Sequence, residues 1–262
     1  MRAIFLLFLL IIFTASGCAK QSKTALKNCN PPDNINWVSG NGECLRTITF
    51  NAKQNPKSLV VFLHGDTSSG RAADYFTRVV PKISPEENDI VVVVLLRPGY
   101  FDSQTIFSTG NAHNRYDNNT PHNVKAIAEA IDNLKTHYNP EKLIVVGYSG
   151  GAIATGVIIG KYPDIIDASV LIACPCNLFS WKSHWKKSLS PSTYMKKIGN
   201  NTKVIGIAGT EDKTVPPRFT NQYIEKLTNA GIDASYKEAK GFSHYNVFMS
   251  EEVIEAIDEL TK

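Results

Sequence analysis

Five short runs dominated by Val, Leu and Ile, at 58–64, 89–97, 142–147, 168–173 and 203–208, constrain this chain more than any other feature. Each is apolar at nearly every consecutive position, without the polar alternation of a strand that has one wet face. Strands of a parallel sheet covered by helices on both sides meet that condition. Helical patterns at 121–138, 150–162 and 217–230, and a last one around 245–260, lie between and after the runs. In the first of these, Thr120 is a capping residue type, Pro121 suits the first turn, and Ile127, Ile131 and Leu134 share one face. The alternation predicts an α/β fold with a mostly parallel central sheet.

A chain of 262 residues, 43% hydrophobic, can bury one large core. From 45 to 262 there is no fixed-period repeat and no long Gly/Ser or Pro-rich linker, so one domain is expected, starting near Leu45. The formal net charge of +4 comes from Lys residues scattered along the chain, which suit solvated helix faces and not a nucleic-acid groove. The segment 177–201, rich in Lys, Ser and Trp, separates two strands; it is read as a short lid over a pocket, with an ordinary surface excursion as the alternative.

Met1 and Arg2 precede an apolar stretch at 3–13 that is too short to span a bilayer, the pattern of an export signal. It closes on Ala15-Ser16-Gly17-Cys18, which resembles the lipobox of bacterial lipoproteins, with Ala15 in place of the commoner Leu. That resemblance implies a signal peptide at 1–17, lipidation of Cys18 and a membrane-tethered protein in the cell envelope; ordinary cleavage nearby would instead release a soluble one. Residues 19–34 are polar and carry Lys20, Lys23, Lys27 and two prolines, so they are read as a tether. Disulfides persist in an exported chain, and Cys29 and Cys44 flank a turn-rich segment, which predicts a bridge closing the 18–44 region. For Cys174-Pro175-Cys176 a local bridge is preferred, with two free thiols or metal ligation through further donors as alternatives.

The chemistry gathers at Gly147-Tyr148-Ser149-Gly150-Gly151, between the run at 142–147 and the helical pattern after it. Glycines there permit the sharp turn that exposes a serine hydroxyl, and strand-turn-helix is the context that gives a Gly-x-Ser-x-Gly match meaning. From His64-Gly65 through this elbow to His244 the chain resembles the α/β-hydrolase superfamily of serine hydrolases. The resemblance implies that fold, with helices on both sheet faces. It also puts the carboxylate of the loop Gly209-Thr210-Glu211-Asp212-Lys213-Thr214-Val215-Pro216 on Asp212, with Glu211 as fallback. His244 completes the chain order Ser, Asp, His expected of the superfamily. His113, His122, His137 and His184 do not fit by position. The same resemblance assigns one oxyanion donor to the backbone N–H of Asp66; the second is the N–H of Gly150. An acidic side chain at Asp66 must then turn away, toward Ser68 or Ser69.

Arg97-Pro98-Gly99-Tyr100 ends a buried run at the edge where open α/β sheets bind ligands, which makes Tyr100 and the segment to Phe107 candidate pocket walls, together with Tyr148; a tight turn is the alternative. No metal-ligand spacing, phosphate loop or dinucleotide fingerprint occurs, so no cofactor is expected. The expectation is ester cleavage through an acyl-enzyme. The alternatives are a peptidase with the same triad and a binding lipoprotein that keeps the fold without turnover.

Overall fold

The computed structural model describes residues 29–83 and 89–262; the signal segment and Cys18 lie outside the described residues. Eight strands form one sheet in the order β1-β2-β4-β3-β5-β6-β7-β8. They are β1 (Trp37–Gly40), β2 (Glu43–Phe50), β3 (Ser58–Leu63), β4 (Ile90–Leu95), β5 (Lys142–Tyr148), β6 (Ala168–Ile172), β7 (Lys203–Gly209) and β8 (Ala234–Ala239). β1 and β2 are antiparallel to their neighbours, and the six strands from β4 to β8 run parallel. This is the α/β-hydrolase fold.

Alternate residues of each parallel strand feed two separate cores, which is why the runs read as continuously apolar. Leu59, Val61 and Leu63 of β3 join Leu143 and Val145 of β5 in one core, beneath α1 (Pro121–Tyr138), α2 (Gly150–Lys161) and α3 (Arg218–Asn229). Val60, Phe62, Ile144 and Val146 point to the other, closed by α4 (Glu251–Thr261) and by Phe76, Val79 and Val80. Each fully buried Val, Leu or Phe here stabilises by about 1.5–3 kcal/mol, so the double-sided burial dominates the fold's stability.

The expected cap forms at α1: the Thr120 hydroxyl accepts from the Asn123 N–H at 3.2 Å, Pro121 sits in the first turn, and Asn139 ends the helix at φ 48°. The final helix starts later than the pattern suggested, after a short 3-10 turn at Val247–Met249.

The sheet also begins before Leu45, the expected start of the domain. β1 pairs with β2, the Asp33 carboxylate accepts the N–H groups of Ile35, Asn36 and Trp37, and the Tyr138 hydroxyl donates to Asn34 O at 2.9 Å. Within the 18–44 segment, Trp37–Gly40 and Glu43–Cys44 are thus part of the sheet, while residues 19–28 of the stretch read as a tether lie outside the described residues. The alternation of half-buried and buried residues along β1 fits its place at the sheet edge. Cys29 and Cys44 are bridged with Cα atoms 5.7 Å apart, and Cys174 and Cys176 with Cα atoms 5.0 Å apart.

Candidate active site

The turn from β5 into α2 holds Ser149 at φ 51°, ψ −113°, a conformation that costs an L residue energy and persists only where the surroundings impose it. They do so through the backbone. The Ser149 N–H donates to Ile172 O at 2.8 Å, and its carbonyl accepts from the Ile153 N–H at 3.0 Å. Two glycines make room: a Cβ at Gly151 would lie 2.1 Å from Leu63 O, and one at Gly147 would lie 2.4 Å from the Thr155 hydroxyl. The motif's glycines are therefore required by close packing of β3, β5 and α2.

His244 and Asp212 meet this serine from the neighbouring loops. His244 Nε2 is 3.1 Å from Ser149 Oγ, and His244 Nδ1 is 2.7 Å from Asp212 Oδ2. The other Asp212 oxygen accepts from the Thr214 and Val215 N–H groups at 2.9 and 2.7 Å, and the carboxylate is fully buried. Asp212 is the loop carboxylate that engages the histidine, and Glu211 is exposed. The Tyr148 hydroxyl donates to the His244 carbonyl; burial raises its pKa, so it stays a neutral donor. The set can take a proton from a serine, store it on an imidazole and stabilise that charge.

The loop after β3 lies against the serine: a Cβ at Gly65 would sit 3.1 Å from Ser149 Cβ. Among the described residues, the N–H groups of Asp66 and Gly150 donate to no acceptor, and Gly150 opens α2, where the helix dipole favours negative charge. The Asp66 side chain does not bond Ser68 or Ser69. Its Oδ1 accepts from Arg97 Nη2, from the Tyr100 hydroxyl at 2.9 Å and from Asn118 Nδ2 at 3.1 Å. Paired donors behind the loop outcompete two short serines on its tip.

That network also corrects the reading of Tyr100 as a pocket wall. Its side chain is 1% exposed and is wedged between the His64 ring, 4.5 Å away, and the guanidinium of Arg97, 4.8 Å from its centroid. Tyr148 does face open space, in a cleft of about 660 Å³ that Tyr75, Tyr245, Phe248 and Arg71 also line. Segment 177–201 packs Leu178 and Trp185 on Ile153 of α2, and Trp181 Nε1 donates to Thr214 O at 3.0 Å. The segment thus rests on both the elbow helix and the acid loop.

Sequence reasoning missed four residues that shape this site: Tyr75, whose hydroxyl accepts the Gly65 N–H at 2.6 Å, and Arg97, Asn118 and Asn119. One signal was present, a lone Arg closing the apolar run of β4 and followed by a Pro-Gly turn. The paired Asn118-Asn119 carried none, since asparagines before a helix usually read as turn residues.

The fold and the Ser-His-Asp geometry define the class, a serine hydrolase of the α/β-hydrolase fold. Residues 45–260 match the phospholipase/carboxylesterase family, to which this chain belongs. An alignment of 127 positions, covering 41% of this chain, shows 28% identity to poly(3-hydroxyalkanoate) depolymerase C of Paucimonas lemoignei and spans 30% of that protein's length. Among solved structures, an esterase of Pyrococcus furiosus superposes with TM-score 0.65 at 16% identity, covering 86% of this chain and 88% of that one. Est1E of Butyrivibrio proteoclasticus, solved with ferulic acid, gives 0.62 at 16% identity over 85% of this chain and 96% of that one. Acylaminoacyl peptidase of Pyrococcus horikoshii gives 0.58 at 12% identity, covering 82% of this chain and 38% of that one.

Proposed function

We propose that this protein is an exported serine hydrolase that cleaves an ester through an acyl-enzyme. The carrying observation is the unbroken relay from Asp212 through His244 to Ser149, at 2.7 and 3.1 Å. Ser149 Oγ attacks the ester carbonyl carbon while His244 Nε2 takes its proton, and Asp212 holds the imidazolium. The N–H groups of Asp66 and Gly150 receive the oxyanion. Collapse expels the alcohol, which leaves with the proton from His244, and water then releases the acid by the same steps. Ser149→Ala should abolish both hydrolysis of a small activated ester and labelling by a fluorophosphonate; persistence of both would exclude the reading. A folded wild type that takes up no probe would instead mark a non-catalytic binding lipoprotein.

Esters are favoured by the phospholipase/carboxylesterase family and by the depolymerase relative. A peptidase is the second reading, supported by the acylaminoacyl peptidase neighbour. Rates on an ester panel against a peptide library separate the two.

Export, with cleavage before Cys18 and lipidation of its thiol, is part of the same proposal. The Cys29–Cys44 and Cys174–Cys176 bridges support it, since such bonds persist outside the reducing cytosol. Metabolic labelling with palmitate, lost in Cys18→Ala, tests the anchor.

A further inference from the structure

Asp66 poses an electrostatic problem at this site. Its carboxylate packs against Gly150, where a Cβ would come within 2.5 Å of Oδ1, so a negative charge belongs to one oxyanion-donor residue and lies against the other. Left unpaired, it would oppose the charge that develops in acyl transfer, and in a buried site the repulsion is weakly screened.

The compensating charge is Arg97. Its side chain is 2% exposed, and Nη2 meets the same Asp66 oxygen that Tyr100 and Asn118 donate to. Its Nη1 reaches Asn118 Oδ1 at 3.3 Å, and Asn119 Nδ2 donates to Gly150 O at 3.1 Å. The backbone of Arg97 contributes separately: its N–H donates to His64 Nε2 at 3.0 Å, which leaves the imidazole proton on Nδ1 to donate to Gly65 O at 2.8 Å. A trans peptide carries its C=O and N–H in opposite directions, so holding the Gly65 carbonyl aims the Asp66 N–H away from His64.

We propose that Arg97 is a positioning residue for the oxyanion site: its guanidinium neutralises and clamps Asp66, so that the two N–H donors act without an opposing charge. This rests on the acyl-transfer reading above. It accounts for a buried arginine at the end of a central strand, where an unpaired charge would be costly.

The test uses the full-length protein with Arg97→Gln, alone and combined with Asp66→Asn. For Arg97→Gln, kcat on an activated ester should fall about 10–100-fold with KM within about threefold, since one lost oxyanion donor alone costs about 10²–10³-fold. The inhibition constant of a trifluoromethyl ketone, whose serine adduct carries an oxyanion, should rise by the same factor. Adding Asp66→Asn should recover about tenfold or more in kcat by removing the stranded charge. All rates are read well below the melting temperature of the least stable variant, so that a loss confined to folding does not register. An unchanged kcat in Arg97→Gln, or a loss that Asp66→Asn does not relieve, overturns the proposal. If Arg97→Gln does not fold, Arg97→Met replaces it, removing the charge while keeping the apolar stem. A several-fold fall in kcat matched by the ketone supports the role, and wild-type values for both overturn it. Failure of the hydrolase reading looks different: an inactive wild type, or Ser149→Ala that keeps activity.

Discussion

Tyr148 donates its hydroxyl hydrogen to the backbone carbonyl of His244, so the residue that precedes the serine on β5 also holds the loop that carries the base. Serine and histidine are 95 positions apart in sequence, and this bond ties their two supports together.

Tyr148→Phe keeps the ring and removes the donor. The buried His244 carbonyl is then orphaned, and stability should fall by about 1–3 kcal/mol. Loss of the brace should lower kcat by about tenfold, within the roughly 10²-fold that a 1 Å misplacement costs. Chemical denaturation and steady-state kinetics on the same preparation read both; unchanged kcat would show that the loop needs no brace.

Asp212→Asn should be far more damaging than its size suggests. The Thr214 and Val215 N–H groups demand an oxygen at Oδ1, so the amide NH₂ is forced toward His244 Nδ1. That pairing selects the tautomer with hydrogen on Nε2, which cannot accept the serine proton. A kcat loss of about 10⁴-fold with little change in melting temperature is expected, by analogy with the same substitution in a serine protease. A loss below about tenfold would show that Asp212 does not orient the histidine.

Gly151→Ala places a methyl group 2.1 Å from Leu63 O and 2.6 Å from His64 O, both backbone atoms of a central strand and its exit. Neither can yield cheaply, and a destabilisation of about 2–4 kcal/mol is expected. Gly199→Ala is the control: its nearest neighbour would be 3.5 Å away, and its effect should stay within about 0.5 kcal/mol. Melting temperatures of the pair decide the matter; equal shifts would contradict the packing argument.

Segment 177–201 is pinned by a carboxylate. Asp117 accepts the N–H groups of Lys186, Lys187 and Ser188 at 2.9, 3.0 and 2.8 Å. Burial alone would raise its pKa, but these bonds outweigh it and hold the group below its ordinary value. A depressed folded-state pKa gives stability that is complete above the unfolded value of about 3.9 and is lost as pH falls through the folded one. Asp117→Asn, which turns an NH₂ toward some of these donors, should cost about 1–3 kcal/mol at pH 7. The gap to wild type should narrow below about pH 4. A gap constant from pH 7 to pH 3 would assign the effect to shape alone.

Much of the architecture was legible because it rests on local or near-local pattern. The apolar runs that became β3 to β7 announced two-sided burial, and Thr120-Pro121 announced the start of α1 within a residue. Ser149 was legible because an elbow needs small residues at fixed offsets. The acid loop and His244 were reached through a resemblance to the superfamily and its residue order, and the fold brings Asp212 and His244 to Ser149. The opening hairpin was not legible: β1 is four residues long, Trp37-Val38-Ser39-Gly40 carries no alternating pattern, and it gains its identity only by pairing with β2.

What the sequence determined by itself was the set of parts: a parallel sheet buried on both faces, a serine on a sharp turn, and an acid and a base placed in order after it. The tertiary structure alone decided how those parts are charged and held. Asp66 finds Arg97 across 31 positions and Asn118 across 52, and Tyr100 is drawn inward to serve that pair instead of lining a pocket. Periodicity records which side of an element is buried, because burial acts on each residue separately. The partner of a buried charge depends on which loops the sheet order brings to one edge, and the order β4-β3-β5 is fixed only when the whole sheet assembles.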